Sequence, residues 1–307
     1  MTRAVVFAYH KVGVRCLKTL LARGVEVGLV VTHQDNLAET IWFDSVATTA
    51  REAGIPVITP ADPNTDEVLA AVQAAQPDFL FSFYYRHMLK APLLEAAPRG
   101  AFNLHGSLLP QYRGRVPVNW AIIHGETETG ATLHAMNVKP DNGAIVDQMA
   151  VPILPDDSAR EVFDKVTVAA EIVLWRSLPG LIAGRAVLRE QDLSQGAYFG
   201  GRKPEDGRID PRASSRAIHD FVRALSQPYP GAFADLGSHR LIVWRTGLAA
   251  SGAASGESAR LGVVDGELVI KTADGGRLRV FEAELDGSRL DAARFTALFG
   301  ACAIPLA

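Results

Sequence analysis

The sequence holds 307 residues, 48% apolar and 21% charged, with 31 Lys+Arg against 34 Asp+Glu and a formal net charge of −3. So much apolar material excludes a disordered chain, and the near-neutral balance excludes a general attraction to nucleic acid or an anionic membrane surface. The two cysteines, Cys16 and Cys302, stand at opposite ends and form neither a disulfide framework nor a CxxC metal pair, so a reduced, cytoplasmic chain is expected.

The N-terminus, MTRAVVFAYHKVG, is a short apolar run broken by His10 and Lys11, too short for the core of a signal peptide. No apolar run reaches the ~20 residues of a membrane-spanning helix, and a soluble protein is expected. Residues 3–8, RAVVFA, are predicted as a buried strand, followed by a helix through Leu17, Leu20 and Leu21 to Gly24 and a second strand at 26–32. A helix at about 44–53 stops at Gly54 and leads into IPVIT. The next helix lies within ADPNTDEVLAAVQAAQPD, with Asn64 or Thr65 as its N-cap. Strands follow at 78–83 (DFLFSF) and 101–106 (AFNLHG). Strands alternating with helices imply a parallel sheet with helices on both faces.

The segment GATLHAMNVKPDNGAIVDQMAVPILP (130–155) reads instead as two strands around the polar turn MNVKPDNG. In the helix that follows, Ser158 and Glu161 make a capping box, and Val162, Val166, Ala169, Ala170 and Val173 form one apolar face. Residues 195–211, QGAYFGGRKPEDGRIDP, are rich in Gly and charge and read as a linker. After a helix at about 213–225 come GAFADL, RLIVWRTG, RLGVVDG, ELVIKTA and RLRVFEAEL, short β runs separated by Gly and Asp turns, then a closing helix at 290–300. The expected organisation is a Rossmann-like α/β domain at 1–194, mostly parallel, and a smaller OB-like β-barrel domain at 212–307. Trp42, Trp120, Trp175 and Trp244 are read as packing residues.

The first strand–helix turn is FAYHKVG rather than GxGxxG, and no GxxxxGK[ST] occurs, which argues against a dinucleotide dehydrogenase and a P-loop enzyme. There is no HExxH and no His/Cys cluster, so no metal site is expected.

One strand breaks the apolar rule. In AFNLHGSLLP (101–110), alternation puts Asn103 and His105 on one face, at the carboxyl end of a strand, where open α/β sheets bind ligands. Ser107 would share that face only if the strand continued past Gly106. A hydrogen-bonded pair holding a loop explains Asn103 and His105 equally well. The loop that follows carries Arg113 and Arg115, whose guanidinium groups suit anions. Asp141, in the MNVKPDNG turn, could hold a histidine in one tautomer, although turn chemistry beside Asn142–Gly143 also accounts for it.

The stretch FNLHGSLLPQYRGRVPVNWAIIHGETETGATLHAMNVKPDNGAIV resembles the catalytic core of the formyltransferases that use 10-formyltetrahydrofolate. Their Asn-x-His-x-Ser-Leu-Leu-Pro core is followed by a distant Asp, and Asn103, His105 and Asp141 fall on that pattern. VVFAYHKVG, THQDNLAE, DFLFSFYYRHML, HGETETGATLH, YFGGRKPEDGRID and QPYPGAF carry the likeness to the UDP-4-amino-4-deoxy-L-arabinose formyltransferases, up to about residue 233. In that branch the domain is often fused to a decarboxylase; here it is expected to stand alone.

The resemblance implies transfer of a formyl group from 10-formyltetrahydrofolate to a sugar amine, without a metal, in lipid A modification and resistance to cationic peptides such as polymyxin. Asn103, His105 and Asp141 would be catalytic. Folate would be held by His87, Met88, Leu89 and Arg115 together with Asn137, Val138, Lys139 and Pro140. Tyr9 and His10, at the end of the first strand, and Ser107 are candidates for the nucleotide-sugar cleft, Ser107 also for ordering its loop. Expected partners are the nucleotide sugar and the folate, with no nucleic acid and no membrane; a homo-oligomer or association with a separate decarboxylase is compatible with this.

Rival readings separate on charge and on the site. A methionyl-tRNA formyltransferase shares the core and donor but must hold a polyanion. The 32–45 loop has three carboxylates (Asp35, Glu39, Asp44) and no Lys or Arg, and residues 201–307 hold 14 Lys+Arg against 13 Asp+Glu. A formyltetrahydrofolate hydrolase would need no amine pocket, and a non-catalytic binding module would not need Asn103, His105 and Asp141 together. Another dTDP- or UDP-linked amino sugar remains an open acceptor.

Overall fold

The first strand, RAVVFA, has no polar side chain after Arg3 and is buried along its length, so it belongs inside a sheet and not at its edge. The structure, a computed structural model, describes residues 1–36, 40–249 and 256–307. Glu39, one of the three carboxylates of the 32–45 loop, lies outside the described residues. These residues fall into two compact units, one of 1–117, 128–151 and 163–200, the other of 118–127, 152–162 and 201–307.

The first unit contains β1 (Arg3–Ala8), α1 (His10–Ala22), β2 (Glu26–Val31), α2 (Val46–Glu52), β3 (Val57–Ile58), α3 (Asp66–Ala74), β4 (Phe79–Phe83), α4 (Ala91–Glu95), β5 (Ala101–His105) and β6 (Arg113–Gly114). Beyond α5 (Pro117–Ile123) the chain continues as β7 (Glu128–Ala135), β8 (Ile145–Pro152), α6 (Ala159–Ile182) and β9 (Tyr198–Phe199). Among the described residues the sheet order is β3-β2-β1-β4-β5-β7-β8. It is parallel from β3 to β5, and β7 then runs antiparallel to β5. The sheet is therefore mixed at this end, where the first of the two strands expected within 130–155 pairs with the polar one.

Side-chain alternation sorts the apolar residues between the faces. Val5, Phe7, Leu29, Val31, Leu80 and Ala101 pack with Val68 and Val72 of α3 and with Leu93 and Leu94 of α4. On the other face α1 comes so near β1 that a Cβ on Gly13 would sit 3.1 Å from that of Ala8. Each such fully buried aliphatic or aromatic side chain contributes about 1.5–3 kcal/mol.

Helix starts follow local chemistry. Ser45 caps α2, accepting from the Thr48 N–H, and Thr65 caps α3. Asn64, the other N-cap candidate, instead spans Met88 O and Lys90 N. Ser158 and Glu161 form the capping box of α6. Within the stretch read as a linker, β9 pairs in parallel with β6, and Pro204–Gly207 forms a short 3-10 turn.

The second unit adds α7 (Ser215–Leu225), β10 (Ala232–Leu236), β11 (His239–Ala249), β12 (Arg260–Val264), β13 (Glu267–Lys271), β14 (Arg277–Leu285), β15 (Ser288–Arg289), α8 (Ala292–Phe299) and β16 (Ile304–Pro305). The strands form an antiparallel barrel-like sheet in the order β10-β11-β14-β13-β12-β16, with β15 on β14. Its inward residues, among them Leu241, Val243, Leu261, Ile270 and Leu278, close on Ile218 and Val222 of α7 and on Phe295 of α8. Among the described residues no helix is long and apolar enough to cross a membrane.

Candidate active site

β5 is buried between β4 and β7, yet two of its five residues are polar. Asn103 pairs with Ser82 of β4 and with His134 of β7, and His105 pairs with Thr132. Because partners in register point to the same face, Asn103, His105, Thr132 and His134 form one polar patch within an apolar sheet. His105, Thr132 and His134 are all buried. The turn after β7 folds back over this patch and brings Asp141 to it.

The distances define a connected group. Asp141 Oδ1 lies 3.5 Å from His105 Nδ1 and 3.6 Å from His134 Nε2. Its Oδ2 accepts the Gly114 N–H at 2.8 Å. Asn103 Nδ2 is 3.1 Å from His134 Nε2, and His134 Nδ1 is 2.8 Å from the Ala135 carbonyl oxygen. A carbonyl only accepts, so Nδ1 of His134 carries the hydrogen and Nε2 offers its lone pair to the Asn103 amide. One of the two amide hydrogens is spent there; the other remains to donate.

His105 Nε2 lies 2.8 Å from the Tyr112 carbonyl oxygen and must donate to it. Both its ring nitrogens thus face protein oxygens, and a proton on Nδ1 would sit between the ring and Asp141. Burial alone would raise the Asp141 carboxyl. The neighbouring His105 ring and the Gly114 N–H act against burial, and the carboxyl is held well below the usual carboxylate range. The group therefore presents a fixed negative charge, an imidazole beside it and an amide donor. That combination suits a reaction in which charge develops on an oxygen and a proton moves nearby.

The backbone is tuned for this. Gly114 has φ +101°, and a Cβ there would meet the Phe199 carbonyl oxygen at 2.1 Å. Glycine lets the β6–β9 pair close and aims its N–H at Asp141. Asp141 itself takes a left-handed φ of 53°, a conformation that aspartate tolerates better than most residues.

Residues 4–178 match the family described as formyl transferase, and residues 202–299 match the formyl transferase C-terminal domain. The chain is a formyltransferase of this family. Solved structures share the fold. An N-formyltransferase from Helicobacter canadensis, in complex with folinic acid and dTDP-3-aminofucose, has 21% identity and a TM-score of 0.70 over 91% of this chain and 99% of its own. WlaRD, a sugar 3N-formyltransferase solved with dTDP and 5-N-formyl-THF, has 19% identity and a TM-score of 0.70 over 94% and 98%. A 4-N formyltransferase from Francisella tularensis has 19% identity and a TM-score of 0.62 over 76% and 91%.

Around the central group the sequence candidates divide. Tyr9 is buried, donates from its hydroxyl to Asp35 at 2.8 Å, and has the Arg86 guanidinium over its ring at 4.7 Å. His10 is half-buried among Phe43, Trp42 and Phe163, with ring centroids 3.8, 4.8 and 4.7 Å away. His87 and Met88 are exposed on the segment after β4. Leu89 differs: it lies in the core with Leu80 and Leu93, so its side chain offers nothing to a ligand. Asn137, Val138 and Lys139 are exposed and Pro140 half-buried, with Asn137 Oδ1 accepting the Lys139 N–H.

Arg115 is exposed, its N–H donating to the Phe199 carbonyl. Arg113 is no anion grip: its guanidinium donates to Asn142 Oδ1 and to the carbonyls of Leu193 and Gly196. Ser107 is fully buried, and its hydroxyl donates to the Gln111 carbonyl at 2.6 Å, which removes it from any substrate cleft and makes it a loop support. His134 is the residue the sequence reading missed. Its signal was the same alternation, Thr132 then His134 on one face of β7. Among the described residues no group of three or more His, Cys, Asp or Glu is placed to hold a metal ion.

Proposed function

We propose that this formyltransferase moves the formyl group of 10-formyltetrahydrofolate onto the amine of a nucleotide-linked amino sugar, with UDP-4-amino-4-deoxy-L-arabinose as acceptor and lipid A modification as its setting. The observation that carries this reading is the connected Asn103–His134–Asp141–His105 group, whose two histidines are buried. It joins an oriented amide donor to a fixed carboxylate.

The residues present suit a folate. Met88 and Val138 expose apolar side chains on two loops, and Leu89 and Met136, beside them in those loops, pack against one core. A flat ring needs such surfaces, and its polar edge needs the backbone groups of those loops. When bound, 10-formyltetrahydrofolate supplies the activated formyl group. Asn103 donates its remaining amide hydrogen to the formyl oxygen as negative charge builds there. His134 holds that amide in the donating orientation. Asp141, with its pKa depressed, is a poor proton acceptor at neutral pH. Its role is to attract the acceptor's ammonium group and to face Nδ1 of His105. The proton the amine sheds and the proton the leaving nitrogen gains balance, and the His105–Asp141 pair lies beside that exchange.

A second acceptor is favoured by a specific observation. Two of the structures with this fold are described with dTDP-3-aminofucose or dTDP. The experiment is to incubate the protein with 10-formyltetrahydrofolate and, separately, UDP-4-amino-4-deoxy-L-arabinose, a dTDP-linked amino hexose and methionyl-tRNA, and to follow release of tetrahydrofolate with mass detection of the product. Formylation of the UDP sugar alone supports the first reading and of the dTDP sugar the second. Formylation of the tRNA alone overturns both.

A further inference from the structure

We infer that Gln191 is a positioning residue for formyl transfer, holding Asp141 where it faces His105; this rests on the reading of Asp141 given above. The left-handed conformation of Asp141 persists only where its surroundings over-determine it. Gly114 and Arg113 hold side chains of the turn, at Asp141 Oδ2 and Asn142 Oδ1. Gln191 holds its main chain. Its Nε2 donates to the Asp141 carbonyl at 2.9 Å and to the Gly143 carbonyl at 2.7 Å, so one amide group spans both ends of the turn. On the other side Gly143 is pressed so close to β7 that a Cβ would lie 1.8 Å from the Ala135 carbonyl oxygen. The turn is therefore clamped between β7 and Gln191.

Gln191 is itself fixed. Two residues earlier, Arg189 exchanges both backbone hydrogen bonds with Ile145, at 2.7 and 2.8 Å. Two residues later, the Leu193 carbonyl accepts from Arg113. This strap brings the glutamine to the turn from 48 to 50 residues away in sequence.

The other end of the side chain carries the argument further. Gln191 Oε1 is buried and has no hydrogen-bond partner among the described residues. A buried oxygen without a partner destabilises the fold. An apolar side chain of the same length would avoid that loss but would strip the donor from the Asp141 and Gly143 carbonyls. What glutamine supplies at this position is two amide hydrogens on the turn that carries Asp141. The distances from Asp141 Oδ1 to His105 and His134 depend on that turn, and a shift of about 1 Å at such a site costs on the order of 10²-fold in rate.

The test is a cycle of Gln191→Met, Asp141→Asn and the double variant, with Gln191→Ala as a second truncation should the methionine pack badly. Each is assayed with 10-formyltetrahydrofolate and whichever of the UDP- or dTDP-amino sugars is formylated. Gln191→Met is expected to stay folded, keep KM for both substrates and lower kcat by about 10²-fold. In the Asp141→Asn background it is expected to change kcat no further, because it acts through Asp141. A Gln191 variant with wild-type kcat, while Asp141→Asn is impaired, overturns the inference and leaves the reading of Asp141 standing. A further loss of kcat in the double variant overturns it as well. Wild-type turnover by Asp141→Asn overturns the reading of Asp141 and this inference with it.

Discussion

Asn103 Nδ2 lies 3.1 Å from His134 Nε2, at facing positions of the antiparallel strands β5 and β7. An amide nitrogen can only donate, so the contact requires a lone pair on Nε2, and the Ala135 carbonyl secures it by taking the hydrogen of Nδ1. The tautomer of one histidine thereby decides which end of the Asn103 amide is held and which hydrogen is left to act. A backbone carbonyl at the end of β7 is linked through two side chains to the proposed site of charge development.

Removing the donor should therefore be costly and removing its support somewhat less so. Asn103→Leu is expected to lower kcat by about 10²–10³-fold, the usual effect of losing one such donor. His134→Phe, which keeps the ring volume but accepts no hydrogen bond, should lower it by roughly tenfold or more. Steady-state formyl transfer with both substrates saturating checks both, and an Asn103→Leu enzyme at wild-type rate would sink the assignment.

Asp141→Asn should lose both activity and a pH-dependent share of stability. The carboxyl is held below its ordinary 3.8. A group depressed in the folded state stabilises the fold fully above its unfolded pKa, and that contribution fades as pH falls through the folded value. Wild type should thus be more stable than Asp141→Asn at neutral pH, and the gap should narrow only below about pH 4. Denaturant midpoints at several pH values test it; a constant gap down to pH 2 would contradict the lowered Asp141 carboxyl.

Much of this site was legible in sequence, and what was missed has a common cause. Alternation in AFNLH put Asn103 and His105 on one face correctly. The same alternation in TLHA marks Thr132 and His134, but which face of β7 meets which face of β5 depends on a register 31 residues away in the chain. Arg113, in a Gly- and Pro-rich loop, has the local look of an anion contact, yet its partners lie 29 to 83 residues on. Leu89 follows two exposed residues and carries no local sign that it turns into the core. Local chemistry named the cap at Ser158 and narrowed the one before α3 to Asn64 or Thr65, because a cap is satisfied within four residues. Partners fixed by tertiary packing leave no comparable mark.

Glycine at 114 should be far less replaceable than another left-handed glycine. Gly184 has φ +66° with nothing within 4 Å of an added Cβ, whereas at Gly114 the Cβ meets the Phe199 oxygen at 2.1 Å. Gly184→Ala should cost only the conformational penalty, about 1–2 kcal/mol. Gly114→Ala should cost clearly more, because the β6–β9 pair must open, and it should also lower kcat by displacing the N–H on Asp141. Thermal melts of the two variants side by side, with kcat for each, check this; equal costs would contradict the packing at Gly114.

His33 should make the fold sensitive to pH in a window of its own. Burial, then the positive charges of His87 and Arg86, push its imidazole down from 6.5 to about 4. The ring is stacked on Tyr85 at 4.1 Å, and its Nε2 accepts the Arg86 N–H at 3.0 Å, which only the unprotonated nitrogen can do. Between those two values the unfolded chain binds a proton that the folded chain refuses, so stability rises with pH there and is complete above 6.5. Wild type should therefore lose melting temperature as pH falls from 6.5 towards 4. His33→Gln keeps an acceptor of similar reach without a titrating group, so it should show a shallower loss over the same interval. Parallel melting curves for the two proteins would mean that His33 does not titrate against the fold. A steeper wild-type curve would mean that the segment carrying His87 and Met88 is held by a histidine that must stay neutral.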